Sequence, residues 1–286
     1  MTSQGLGETP IVPIATTTDK YAGTSKRGRA SAIPVEAVGV VRDGIGVRTH
    51  HILLEFLLSD DRRWSYQVRL DPLTLKQVHE APTIPLPEWT RLEVSQCTNC
   101  PLSPESTPHC PVAVSIDEMV EFFADSYAHE EARVTVHAKE RSYEKACSLQ
   151  IGIGSLLGLL MATSGCPVME PMQPLARSHL LFATAYETLP RVISRYLFQQ
   201  YLRSRRGEDP DWEMSKLSQA YEGIQQVNEG ITKRLSHVKV RDASRNAVSR
   251  LHLFAELLSF SIDENVIHEI LEDFRSERTG LHDVNR

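Results

Sequence analysis

Long apolar runs are absent from this chain. The longest, Leu149 to Ala162, has fourteen residues and includes Gln150 and Ser155, whereas a single membrane-spanning helix needs about 20. Also missing is a charged leader followed by an apolar core at the N-terminus. The two absences together predict a cytoplasmic protein with no membrane span. Cysteine is scarce, with five in 286 residues, and an odd number without a secretory leader favours metal or redox chemistry over a disulfide framework. Basic charge is not in excess: 31 Lys and Arg face 37 Asp and Glu, for a net charge of −6. The first thirty residues hold four basic side chains against two acidic ones. The remainder is therefore more acidic still, which disfavours a broad nucleic-acid-binding face.

What is present is ordinary globular material. The hydrophobic fraction of 41% and charged fraction of 24% are those of a protein with a buried core, and the length suits one large domain or two modest ones. Residues 1–34, rich in Thr, Ser, Gly and Pro, read as a disordered tail. From Val35 the pattern turns to strands. Ile52, Leu54, Phe56 and Leu58 alternate, as do Trp64, Tyr66, Val68 and Leu70 beyond a turn at Asp60-Asp61-Arg62. Leu92 and Val94 suggest a further strand leading to Cys97, and Val134 and Val136 another. Ser115 to Glu118 has capping-box spacing for a short helix.

The second half reads as helices: Tyr143 to Thr163, a stripe from Leu189 to Tyr201, and a long helix capped by Asp211. Arg241 to Ser259 follows, and Ser261 to Glu264 has the capping-box spacing of a last helix carrying Val266, Ile267, Ile270 and Phe274. The expected fold is α+β. A β-rich part over 35–140, made of a small antiparallel sheet, would pack beside a helical bundle over 141–278.

Four cysteines carry the chemical signal. Cys97 and Cys100 form a C-x-x-C pair, Cys110 follows ten residues later, and Cys166 stands in a Gly-Cys-Pro turn. Cys100, Cys110 and Cys166 each precede a proline, which removes a backbone donor and stiffens the chain leaving the sulfur. Soft sulfur ligands on stiff turns suit a metal. A Cys₄ structural zinc site is the favoured reading, and an iron–sulfur cluster is its alternative. A thiol redox pair, a haem contact through a Cys-Pro step and coincidental buried thiols also compete. A thioredoxin-type pair is disfavoured because Pro101 and Pro104 follow where a helix should begin. His109 could replace Cys110 as a ligand, and Cys147 reads as a buried thiol within a helix.

Other candidates are weaker. Gly152, Gly154 and Gly158 do not match the dinucleotide fingerprint. Gly154, Gly158 and Ala162 share a helix face at four-residue spacing, which favours close approach of another helix. His179 reads as a core histidine or a neighbour of the Cys166 turn. Arg191 and Arg195 lie one turn apart, with Arg203, Arg205 and Arg206 beyond. They could bind an anion, or simply complement a helix C-terminus. No paired carboxylates and no nucleophile elbow appear, so no residue is assigned a catalytic role.

The strings Cys97-Thr98-Asn99-Cys100-Pro101-Leu102, His109-Cys110-Pro111-Val112-Ala113 and Thr163-Ser164-Gly165-Cys166-Pro167-Val168 resemble those of an uncharacterised bacterial protein family. Pro87-Glu88-Trp89-Thr90-Arg91-Leu92-Glu93 and Ala176-Arg177-Ser178-His179 extend the likeness, which is best between Trp89 and Tyr201. The family carries no assigned activity, so the resemblance implies a bacterial origin and a motif set. The resulting expectation is a non-enzymatic bacterial protein, held by zinc and acting on an unknown protein partner. The alternative is a redox or gas sensor using an iron–sulfur cluster or reactive thiols.

Overall fold

Alternating apolar residues build the sheet. In the computed structural model, which describes residues 40–42, 48–78, 85–139, 141–178 and 180–263, the strands are β1 (Val40–Arg42), β2 (Arg48–Leu58), β3 (Arg63–Leu70), β4 (Glu131–Ala138) and β5 (Arg141–Ser148). All pairings are antiparallel: β2 pairs with β1, β3 and β4, and β4 pairs with β5. The β2–β3 turn is tight, with Asp61 at φ 63° and the Arg62 Nε donating to Asp60 at 2.6 Å. Ile52, Leu54, Phe56 and Leu58 of β2 are buried together with Trp64, Val68 and Leu70 of β3, as the period of two requires.

Among the described residues the α-helices that follow the strands or interrupt them are α1 (Pro111–Phe122), α2 (Leu149–Thr163), α3 (Ala185–Arg205), α4 (Ser215–Leu235) and α5 (Asp242–Asp263). Between α2 and α3 runs a chain of 3-10 turns, Pro167–Ser178. The architecture is the expected α+β one, a small antiparallel sheet followed by a C-terminal helical bundle. One contiguous apolar core joins the two. The central helix α2 contains Gly152, Gly154 and Gly158, each of which weakens a helix by about 1 kcal/mol relative to Ala. Burial outweighs this, because Leu149, Ile153, Leu156, Leu157 and Leu160 are fully inaccessible, and each such side chain contributes roughly 1.5–3 kcal/mol. Gly152 is required by fit: a Cβ there would lie 2.8 Å from Val134 Cγ2 and 3.0 Å from Phe56 Cε1.

Three elements depart from the local pattern. Tyr143 to Ser148 is strand β5 rather than the start of α2. Pairing with β4 overrides the helix-forming Glu144, Lys145 and Ala146, and Cys147 is consequently a half-buried strand residue. Helix α1 begins at Pro111, with Cys110 as its N-cap, because a proline at the first helical position loses no hydrogen bond. Ser115 is therefore buried inside α1 and caps nothing. Leu92 to Val94 is not a strand. The segment is a series of turns, and Arg234 takes the Leu92 carbonyl and that of Arg91 just before it. In addition, Ser261 to Asp263 continue α5. The tail over 1–34, the helix with Val266 to Phe274 and the position of His179 lie outside the described residues.

Asp211 does cap α4, from an unexpected distance. Met214, the N-cap by position, has φ 58°, and the Asp211 carboxylate reaches past it to accept the amides of Ser215 and Lys216 at 3.2 and 2.8 Å. The Tyr196 hydroxyl on α3 also donates to it, at 2.6 Å. Partial burial works to raise its pKa, but the Tyr196 bond and the helix amides outweigh burial and hold the carboxyl below the ordinary range. A depressed folded-state pKa means the contribution is full above the unfolded value of about 3.9 and fades as pH falls through the folded value. Asp211→Ala should cost about 1 kcal/mol at pH 7. In urea titrations the gap to the native protein should narrow as pH falls below the unfolded value of about 3.9, and a gap independent of pH would exclude the carboxylate as its source.

Candidate ligand cavity

The cysteine motifs end in a packed anchor. The segment around them begins with a 3-10 turn, Glu88–Thr90, in which Thr90 Oγ1 bonds the Pro87 carbonyl and the His109 Nδ1 at 2.7 and 2.8 Å. The Cys110 amide donates to Thr90 O at 2.7 Å, and the Cys100 amide to Cys97 O at 3.1 Å. The C-x-x-C turn docks on α4: Asn99 Nδ2 donates to Gly223 O at 3.0 Å, and Thr98 Oγ1 to Gln226 Oε1 at 2.9 Å. Cys166 follows Gly165, whose φ of +86° makes the turn after α2.

Cys97, Cys100, Cys110 and Cys166 all border one small apolar void, which Arg234 also lines. They do not form a ligand set. Among the described residues no group of three or more His, Cys, Asp or Glu side chains is placed to hold a metal ion. This overturns the zinc site, the iron–sulfur alternative and the metal-supported and sensor functions built on them. The surroundings explain it. The void is only about 10 Å³, room for one water at most and not for a cluster of iron and sulfide. Burial pushes the Cys97 thiol up to about 12, reinforced by the other three cysteines, and burial also raises Cys166 despite bonds from the Met169 and Val168 amides. The guanidinium of Arg234 already supplies positive charge beside Cys97. His109 is committed to Thr90. Cys147 lies apart from this void, on β5.

Arg234 holds the segment. It is 1% exposed, and Nη1 donates to Trp89 O at 2.8 Å and to Arg91 O, while Nη2 donates to Leu92 O at 3.1 Å. One turn earlier on α4, Gly230 lets Cys97 lie directly against the helix backbone.

The larger cavity lies elsewhere, between α2, the 3-10 segment, α3, α4 and α5, and measures about 570 Å³. Packed interiors leave few voids larger than a water molecule, and small-molecule sites run from about 300 to 1,000 Å³. Its floor is apolar and buried, with Leu159, Met161, Met169, Met172 and Leu258. Unbranched methionines adapt to varied apolar shapes. The α2 wall carries Gly154, Gly158 and Ala162. A Cβ on Gly154 or Gly158 would meet α5 only at ordinary contact distance, 3.8 Å from Ala247 O and 3.7 Å from Leu251 Cδ2. The small-residue ladder therefore serves two purposes: it seats α5 and leaves space.

One edge of the cavity is held by strained backbone. Phe182 adopts φ +68°, a conformation that bulky residues avoid. The Tyr143 hydroxyl accepts the Leu181 amide at 3.0 Å, and Ser155 Oγ accepts the Phe182 amide at 3.1 Å. The Phe182 ring lies edge-on to Tyr143 and beneath Lys145 Nζ, 5.9 Å from its centroid. The wall from α3 is loosely anchored, since only Leu189, Val192, Ile193 and Gln200 of its 21 residues are buried, whereas ten of the 15 in α2 are. No His, Cys, Asp or Glu among the described residues lines the cavity. The polar edge comes from Lys145, Arg191, Arg195 and Arg250. Sequence reasoning noticed the ladder and the two α3 arginines separately, but nothing in the sequence joins them to one cavity.

No single helix among the described residues is long and apolar enough to cross a membrane. No curated protein matches the chain, and no solved structure does. A family model described as a domain of unknown function, DUF6901, matches residues 52–276, a span that takes in most of β2, strands β3 to β5, helices α1 to α5 and the cavity between them, so the chain belongs to the DUF6901 family.

Proposed function

We propose that this protein binds a small apolar molecule in the cavity between α2, the 3-10 segment, α3, α4 and α5. The observation that carries the reading is the cavity itself: about 570 Å³ walled by Leu, Met and Phe side chains, in the range and of the character of ligand sites. Binding rather than catalysis is favoured by its chemistry. The commonest general acids, bases and activating partners are histidine and the carboxylates, and the described lining residues include neither, nor a cysteine. The sparse anchoring of α3 supports entry by displacement of that helix, because an element with few buried contacts opens at low free energy. Nucleic acid is not the ligand class supported, given a net charge of −6.

The test uses the purified, delipidated full chain and a neutral dye that brightens in apolar surroundings, N-phenyl-1-naphthylamine. The expected result is saturable binding at one dye per chain. Two variants fill the space from opposite walls, Ala162→Phe from α2 and Thr188→Trp from α3, and each should weaken binding by about tenfold or more while circular dichroism stays native. Non-saturable binding, or binding that neither variant alters, would refute the cavity as the site.

A further inference from the structure

We propose that the cavity selects a single-chain amphiphile with an anionic head, the head held by Arg195 and the aliphatic tail lying over the methionine-rich floor. The inference rests on the binding reading above and adds the ligand's charge.

Four observations lead to it. First, Arg191 sits in the first half and Arg195 at the midpoint of a helix that runs from Ala185 to Arg205. The helix dipole favours cations only in the last turn, so it accounts for Arg203 and Arg205 and not for these two. Second, Arg195 Nε is buried and has no hydrogen-bond partner. A guanidinium carries five donors in a planar fork, and a buried donor left unpaired is costly, so an acceptor arriving with a ligand would satisfy it. Third, Lys145 from β5 and Arg250 from α5 face the same cavity. Three separate elements thus bring four cations to a space that no described carboxylate lines, in a chain where Asp and Glu outnumber Lys and Arg by 37 to 31. Fourth, the cations and the apolar floor are layered. Arg191 and Arg250 are exposed and Lys145 and Arg195 half-buried, while Leu159, Met161 and Leu258 are fully buried. A molecule with a charged end toward solvent and an apolar body fits that gradient, and Arg pairs well with planar oxyanions.

The experiment measures displacement of the bound neutral dye at low ionic strength by dodecanoate, dodecyl phosphate, dodecanol and dodecyltrimethylammonium, four molecules with one tail and different heads. An anionic head should displace the dye at a concentration roughly tenfold or more below that of dodecanol, and the cationic one should be the weakest. Whichever of dodecanoate and dodecyl phosphate is stronger identifies the head as carboxylate or phosphate, and either supports the anionic site. Arg195→Gln should bring the ratio of anion to alcohol close to one, Arg195→Lys should restore part of it, and salt should reduce it. Equal displacement by dodecanol and both anions in the native protein would overturn the anionic inference and leave the cavity reading standing. Failure of the dye to bind at all would overturn both.

Discussion

Arg234→Ala should destabilise the protein by about 3–5 kcal/mol, measured as a shift of the urea midpoint. Arg234 is 1% exposed and has no carboxylate among its bonded partners in the described residues. Its charge is spread over the carbonyls of Trp89, Arg91 and Leu92. Burial lowers its pKa, and the neighbouring cysteines oppose that. Truncation would strand the Trp89 and Leu92 carbonyls, at about 1–3 kcal/mol for each one left unsatisfied, while Arg91 O keeps the Val94 amide, and it would open a cavity beside Cys97 and Cys110. Relaxation of the turns offsets part of this sum. Arg234→Lys should recover less than half of the loss, because an ammonium on a flexible stem cannot reproduce a planar fork. A loss below about 1 kcal/mol for Arg234→Ala would show that the segment from Trp89 to Cys110 is not held by this residue.

The second expected result is a change of sign. Gly230 lies inside α4, where alanine is normally the better residue by about 1 kcal/mol. Here an added Cβ would overlap the Cys97 sulfur and lie 3.3 Å from Cys97 Cβ and 3.4 Å from its Cα. Overpacking of this kind costs roughly 1–3 kcal/mol, so Gly230→Ala should be destabilising on balance. In a Cys97→Ala background the sulfur is gone and the helix preference should prevail, making Gly230→Ala neutral or stabilising. A double-mutant cycle in urea isolates the coupling, and equal effects in both backgrounds would remove the proposed contact. The experiment also measures what Cys97 contributes by packing.

Much of the fold was legible because its determinants are local. The alternation from Ile52 to Leu58 and from Trp64 to Leu70 can bury only one face, and the stripes of α3, α4 and α5 follow the period of 3.6. Legibility failed where a distant partner decided the outcome. Tyr143 to Ser148 has helix-forming residues and became a strand because β4 offered an unpaired edge. Leu92 and Val94 look like strand residues, yet Arg234, more than 140 positions away, claims the local carbonyls. For the cysteines, the spacing and the following prolines were real signals of rigid turns that meet at α4. The step from stiff sulfurs to a metal required ligand geometry and free space, and the packing provides about 10 Å³ beside a buried guanidinium.

The sequence by itself determined the α+β class, the helical second half, the acidic balance and the rigid cysteine turns, because composition and periodicity act over a few residues at a time. Only the tertiary structure decided that four thiols and a buried arginine form a packed anchor. It also decided that Gly158, Met172, Arg195 and Leu258, drawn from four separate elements, surround one cavity. A cavity is the volume that several elements fail to fill, and no single element's sequence encodes that volume.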